Sequence, residues 1–310
     1  MALTLAHISD VHLGPIPKGA AWQDFRLKRM IGAFNWRLRR RHFHDNVVAN
    51  ALADDVIVHA PDHIAVTGDM VNLAAAAEFP AAARWLEALG SAERVSFVPG
   101  NHDCYVDAPW TGRLELLEPY MAGEMRIDGT VSTTQVAMPF PYVRLRRNVA
   151  LIGLNTGVPQ ALFKAGGRLG MQQIDTAGRL LRELREKGYF RCVMIHHPPL
   201  PGLAVPRKAL ADAQAFAEVL AAEGAELVLH GHNHRHMLNR VDGPSGTVPV
   251  FGIPAASACG APGRDPAAWY LHRITREAGR WTLSCTVRGW NGKLGRFETF
   301  QEFRLLPETA

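Results

Sequence analysis

Seven residues able to hold a metal ion recur in five short blocks of this chain: Asp10 and His12 in DVH, Asp69 in TGDM, Asn101 in PGNHD, His196 in MIHHPP, and His232 and His234 in HGHNH. His102 and Asp103 follow Asn101 directly. Carboxylate, imidazole and amide oxygen together suit a divalent transition metal better than a calcium cage or a thiolate zinc site. In Asp-Val-His the two outer residues are two apart, so at an extended strand end both side chains point the same way and can reach one ion. His232 and His234 repeat that spacing. Asp69 has two oxygens and can bridge two cations, and Asn101 offers a neutral carbonyl. The expected product is a two-metal site, with ions about 3.5–4 Å apart, of the kind that clamps attacking and leaving oxygens in phosphoryl transfer.

Each block follows an apolar run and is punctuated by Gly or Pro, so each is placed at a strand end. Open α/β sheets bind ligands at such edges. Strands are expected at 3–9, 63–67, 94–98, 192–195 and 226–230, and a hairpin over 136–147 and 149–154 turning near Arg147-Asn148. Helices are expected at 22–40 and 45–58 with a break near His42, and at 76–89, 171–187 and 208–222. Residues 104–135 read as mostly loop. After His234 the pattern changes to antiparallel strands at 235–241, 247–253, 267–275 and 281–289. The order predicts an α/β fold, a layered α/β/β/α sandwich of two mixed sheets flanked by helices, with those last strands forming a sheet that closes it. No Ser/Gly linker divides the chain, so 1–310 is read as a single domain with a basic helical insertion or cap at 22–58 and closing strands at 235–310.

Among 310 residues, 47% apolar, the four cysteines are scattered with no CxxC pair and do not make a disulfide framework. Cys192 is expected in the core, and Cys104 in a structural role. Residues 2–8 are too short for a signal-peptide core and no apolar run would span a bilayer, so the expected location is cytoplasmic. The net charge of +5 is local. Residues 26–41 carry seven basic side chains and no acidic one, which argues for a basic patch and against a general nucleic-acid coat.

DxH, GD, GNHD, HHPP and GHxH, in that order over residues 10–234, resemble the calcineurin-like metallophosphoesterases, and most nearly the bacterial branch that hydrolyses cyclic nucleotides and glycerophosphodiesters. The resemblance implies one ion on Asp10, His12 and His234, a second on Asn101, His196 and His232, and Asp69 bridging both. It implies two divalent or mixed-valence transition-metal ions (Mn, Fe, Zn or Co), and attack of a metal hydroxide on phosphorus. His102 would stabilise the phosphate oxygens or protonate the leaving oxygen, and Asp103 would orient His102. His197 competes with His196 as the ligand. The block GDMVN has no Arg soon after it, and Asn72 stands where a polar side chain could touch substrate.

The expected reaction is hydrolysis of a small or lipid-derived phosphodiester. The alternative is a phosphomonoesterase or pyrophosphohydrolase acting on a nucleotide- or lipid-linked substrate at a membrane surface. A binding scaffold with a vestigial site, or a nuclease, is a weaker reading. The remaining histidines (His7, His42, His44, His59, His63, His230, His236 and His272) are assigned ordinary surface or core roles, with Arg235 and His236 the ones nearest to a rim role. For the basic segment, Met30, Ile31, Phe34 and Leu38 recur at helical spacing. The plain reading packs that stripe on the core and leaves the arginines in water. Two others are a helix that meets anionic lipid, and a cap that steers phosphates toward the metals.

Overall fold

The computed structural model describes residues 2–20, 27–38, 42–125, 127–130 and 136–306. The order of elements is β1 (Leu3–Ile8), α1 (Leu27–Leu38), α2 (Asn46–His59), β2 (His63–Val66), α3 (Phe79–Leu89), β3 (Val95–Phe97), β4 (Tyr142–Arg146), β5 (Val149–Gly153), α4 (Met171–Glu186), β6 (Phe190–Met194), α5 (Ala213–Glu223), β7 (Leu227–His230), β8 (Met237–Gly243), β9 (Gly246–Gly252), β10 (Ala268–Glu277), β11 (Arg280–Asn291) and β12 (Arg296–Leu306). Two six-stranded mixed sheets result, ordered β12-β11-β10-β1-β2-β3 and β4-β5-β6-β7-β9-β8.

Period-2 alternation in the inner strands divides the core. Leu151, Cys192, Met194, Leu227 and Leu229 face the layer shared with β1, β2 and β3. Their neighbours Ile152, Val193 and Val228 face α4 and α5, against Ile174, Leu181, Phe216 and Leu220. Strands buried on both faces read as continuous apolar runs, as these do. The hairpin turns at Arg147, which adopts a left-handed φ of 53°. Asp45 caps α2 by accepting from the Val47 amide at 2.8 Å.

The structure corrects the expected closing sheet. Among the described residues the C-terminal strands form no separate sheet. They divide: β9 pairs parallel with β7 and antiparallel with β8, whereas β10 pairs antiparallel with β1, Leu5 opposite His272. An edge strand presents unpaired amides and carbonyls, and here β10 covers that of β1 and β9 that of β7. Strand β12 was not anticipated. Within 104–135 the expected loop contains a 3-10 turn at Leu114–Tyr120.

The basic helix is also corrected. Arg29 and Ala33 are buried in α1, and Phe34 and Leu38 are 65% and 59% exposed, so the apolar stripe does not pack on the core. The physical reason is a set of carbonyls. Arg29 donates to Leu73 O at 3.0 Å and Ala74 O at 2.5 Å, and the Glu78 carboxylate, which takes the amides of Asn72, Leu73 and Ala75, lies within its field. A guanidinium so satisfied tolerates burial. Residues 21–26 and 39–41, with Trp22 and Phe25, lie outside the described residues.

Burial holds His63 and His272 neutral. Their pKa values are pushed down to about 3, by desolvation first and, for His63, then by Arg146, Arg144 and Arg94. Each binds a proton on unfolding at mildly acid pH, where the folded state binds none. The stability they contribute is complete above about pH 6.5 and is lost as pH falls toward about 3, on the order of 1 kcal/mol per pH unit for each. We expect the urea midpoint of metal-stripped protein to fall between about pH 7 and about pH 5. An unchanged midpoint would contradict neutral burial.

Candidate metal centre

The loops that leave β1, β2, β3, β6 and β7 bring their polar ends together. Asp10, His12, Asp69, His232 and His234 all take left-handed backbone, with φ of 55°, 45°, 57°, 69° and 53°. Non-glycine residues adopt that region at a cost of roughly 1 kcal/mol or more, and such outliers gather at functional sites. The cost is met by a web of main-chain bonds: Asp10 N to Gly68 O at 2.9 Å, His12 N to Asp69 O at 3.0 Å, and His232 N to Asp10 Oδ2 at 2.9 Å.

Asp10 Oδ1 lies 3.1 Å from His234 Nε2 and 3.8 Å from His12 Nε2, and the two imidazole nitrogens are 3.3 Å apart. Asp69 Oδ2 lies between the two sides, 3.7 Å from His12 Nε2 and 3.4 Å from His196 Nε2. His196 Nε2 is 3.2 Å from Asn101 Oδ1. Glycine is required at two contacts. A Cβ on Gly100 would sit 2.2 Å from Asp69 Oδ1, and one on Gly231 would sit 2.4 Å from Asp10 Oδ2.

Two of these buried polar atoms stand out: His232 Nε2 has no hydrogen-bond partner, and Asp10 Oδ1 faces only the imidazole nitrogens of His234 and His12. Buried polar atoms without partners are costly. Here both are good metal donors in a ring of others. Among the described residues three groups could hold an ion: Asp10, His12 and Asp69; His196, His197 and His232; and His12, His44 and His234. The donor set fits a pair of transition-metal ions.

The outer ends of the imidazoles are fixed as metal ligands require. His196 Nδ1 is 2.7 Å from Thr67 O and His12 Nδ1 is 3.3 Å from Val71 O, so the opposite nitrogens face inward. His197 is held at both nitrogens, by Thr156 Oγ1 at 2.7 Å and Ala165 O at 3.2 Å. Of the adjacent pair, His196 is the one brought to Asp69 and Asn101.

Charges couple strongly across the cluster. Burial alone would raise the pKa of Asp69, but the charges of His196 and His102 hold it far below the usual carboxylate range. Burial would lower His196, and Asp69 instead lifts it to about 9. His197 and His232 are pushed down by burial first, His197 to about 3. Neutral imidazole is the form that ligates metal.

His102 sits at the edge of this ring. Its amide donates to Asp69 Oδ1 at 2.7 Å and its ring Nδ1 lies 2.6 Å from Asn72 O. A carbonyl only accepts, so Nδ1 carries the hydrogen and Nε2 is the ring nitrogen that this bond does not engage. The ring stacks on Tyr105 at 5.4 Å and meets His12 edge-on at 4.9 Å.

Asp103 does not orient His102. Its carboxylate accepts four amides, from Asp69, Met70, Val71 and Gly100, at 2.8 to 3.2 Å, and so pins two ligand loops to each other. Burial first, then the Asp69 charge, push its pKa up to about 7. Asn72 is buried and turns its amide nitrogen to Leu13 O, so it acts on the site through its backbone carbonyl.

His44 was assigned a bland role and lies in the site. Its ring is 4.7 Å from that of His12 and 5.5 Å from that of His234, and its Nδ1 is 2.8 Å from Ser257 Oγ. No strand end, Gly or Pro marks it in RHFHD, so sequence reasoning had no signal for it. His236 stacks on Tyr270 and Phe300, with Nδ1 2.6 Å from the Tyr270 hydroxyl. Cys104 is buried and burial pushes its thiol well up, as a structural role requires.

The backbone is similar to those of several solved structures. A dimetal phosphatase from Danio rerio is 15% identical with a TM-score of 0.56, over 97% of this chain and 98% of that one. Haemophilus influenzae NAD nucleotidase is 15% identical, with a TM-score of 0.52 over 97% of this chain and 54% of its own. A purple acid phosphatase from yellow lupin (Lupinus luteus) seeds is 11% identical, with a TM-score of 0.55 over 98% and 53%. The chain thus spans about half the length of the latter two, and at these identities the likeness concerns the fold. No curated protein sequence matches the chain. The family profile described as calcineurin-like phosphoesterase matches residues 3–236, and with the metal-competent residues gathered at its strand ends the chain belongs to the calcineurin-like phosphoesterase family.

Proposed function

We propose that this metal-dependent phosphoric ester hydrolase acts on phosphodiesters, small or lipid-derived, such as a cyclic nucleotide or a glycerophosphodiester. The observation that carries the reading is His102, with Nδ1–H committed to Asn72 O and the ring at the edge of the metal-competent cluster. The alcohol of a phosphoester departs as an alkoxide, which needs a proton, and Nε2 of His102 would deliver it as the P–O bond breaks. Asp10, His12 and His234 would hold one ion, and Asn101, His196 and His232 the other. Asp69 would bridge, and Asp103 would hold the loops. When bound, the metal pair supplies Lewis acidity and lowers the pKa of water toward about 7. A diester carries one negative charge, so two cations and His102 balance the transition state without an added arginine.

A monoester or pyrophosphate substrate, nucleotide- or lipid-linked, draws support from Lys208, whose charge reaches His232. A dianionic phosphate wants such a cation. The test is turnover of matched bis-aryl and mono-aryl phosphates by manganese-loaded protein. Preference for the diester is expected. A strong monoester preference would move the assignment to the second reading.

A further inference from the structure

Helix α1 presents the wrong face to water for an ordinary surface helix. Leu27, Phe34 and Leu38 are 64%, 65% and 59% exposed, and at 3.6 residues per turn they fall on one narrow face, with half-buried Ile31 beside them. The opposite face carries Arg29 and Ala33, both buried, with Gly32 close against Tyr105 and Leu73, and Trp36 against Gly14. A helix that buries its arginine and exposes Leu, Phe and Leu inverts the usual pattern, and a stripe of large apolar side chains in water marks an interaction surface.

The charge of the segment says what covers it. Seven of the sixteen residues 26–41 are basic and none is acidic; Lys28 and Arg29 turn inward, Arg37 is exposed on α1, and Arg26, Arg39, Arg40 and Arg41 lie outside the described residues. An apolar helix face in such a segment fits an anionic bilayer, where the apolar side chains enter the acyl boundary and Arg37 meets headgroups. A protein partner's apolar face would leave that charge unused.

The helix is also tied to the catalytic edge. Lys28 Nζ donates to Tyr105 O at 2.7 Å and Gln160 O at 2.9 Å, and lies 4.2 Å from the centroid of the Tyr105 ring, which stacks on His102. Arg29 holds the 72–78 loop whose first carbonyl fixes His102. One side of α1 packs beside the proton-transfer residue while the other side faces outward.

We infer that α1 seats this protein on anionic membrane surfaces through Leu27, Phe34 and Leu38, with the metal-competent cleft beside the headgroups. The inference rests on α1 and stands whether the cleft prefers diesters or monoesters. No helix among the described residues is long and apolar enough to cross a membrane, so the contact is peripheral.

The test is sedimentation with vesicles of phosphatidylcholine containing phosphatidylglycerol, against vesicles of phosphatidylcholine alone. Wild type should pellet with the anionic vesicles and be released by salt. The double variant Phe34→Ser, Leu38→Ser should lose more than roughly tenfold in partitioning, since each change removes one buried apolar side chain from the contact. It should still turn over a soluble aryl phosphate, which separates loss of seating from loss of the hydrolase. Arg37→Glu, which leaves the apolar stripe intact, should weaken binding roughly fivefold or more. Wild type remaining in the supernatant, or either variant pelleting like wild type, would overturn the inference. A dimer in solution that the double variant splits, with no vesicle binding, would instead assign the face to a second copy of this chain.

Discussion

Asp69→Asn is expected to release both metal ions and to lower turnover by at least ~10³-fold, the equivalent of several kcal/mol of lost charge stabilisation. Asp69 faces both halves of the cluster, with Oδ2 between His12 and His196 and Oδ1 on the His102 amide. The substitution keeps shape and removes charge. An amide offers a neutral oxygen where a bridge between two cations needs an anionic one. It also leaves His196 without the partner that now lifts its pKa to about 9. Metal content by elemental analysis and turnover on an aryl diester are the two readouts. Normal metal content with normal turnover would refute the bridging role.

The second large effect is expected at His102. His102→Ala should retain both ions, because the imidazole is fixed by Asn72 O and the Tyr105 face and His102 is not one of the seven expected ligands. The rate should fall by ~10²–10⁴-fold, the usual span for a general acid. The loss should shrink for a diester whose leaving group is already a good one, such as a nitrophenolate, because that oxygen needs no proton. Loss of metal in this variant would make His102 a ligand, and an equal loss for good and poor leaving groups would remove it from proton transfer.

Much of the centre was legible because punctuation is local. Gly68 before Asp69, Pro99-Gly100 before Asn101, and Gly231 before His232 end apolar runs and turn polar side chains out at one edge. Those glycines are physically necessary where a Cβ would strike a ligand oxygen, as at Gly100 and Gly231. His44 was not legible, since it reaches the cluster through a bridge to Ala258 and a bond to Ser257, both more than two hundred residues away in sequence.

Asp103 was misread for a related reason. Sequence adjacency suggested that it serves His102, whereas its carboxylate turns toward backbone amides of the neighbouring loop. The destination of the C-terminal strands likewise depends on which sheet edge lies open, and alternation in β10 or β11 reveals a strand without naming its neighbour. Helix α1 shows the limit of amphipathic reasoning. A stripe at helical spacing locates a face, but carbonyls of Leu73 and Ala74, far from it in sequence, decided that Arg29 goes inside and Phe34 outside.

The most direct test is a titration of metal-stripped protein with manganese while aryl diester hydrolysis is followed. Activity should be absent at the start and should rise to a plateau at two ions per chain. Hydrolysis by the stripped protein, or a plateau at one ion, would contradict a two-ion centre built from Asp10, His12, Asp69, Asn101, His196, His232 and His234.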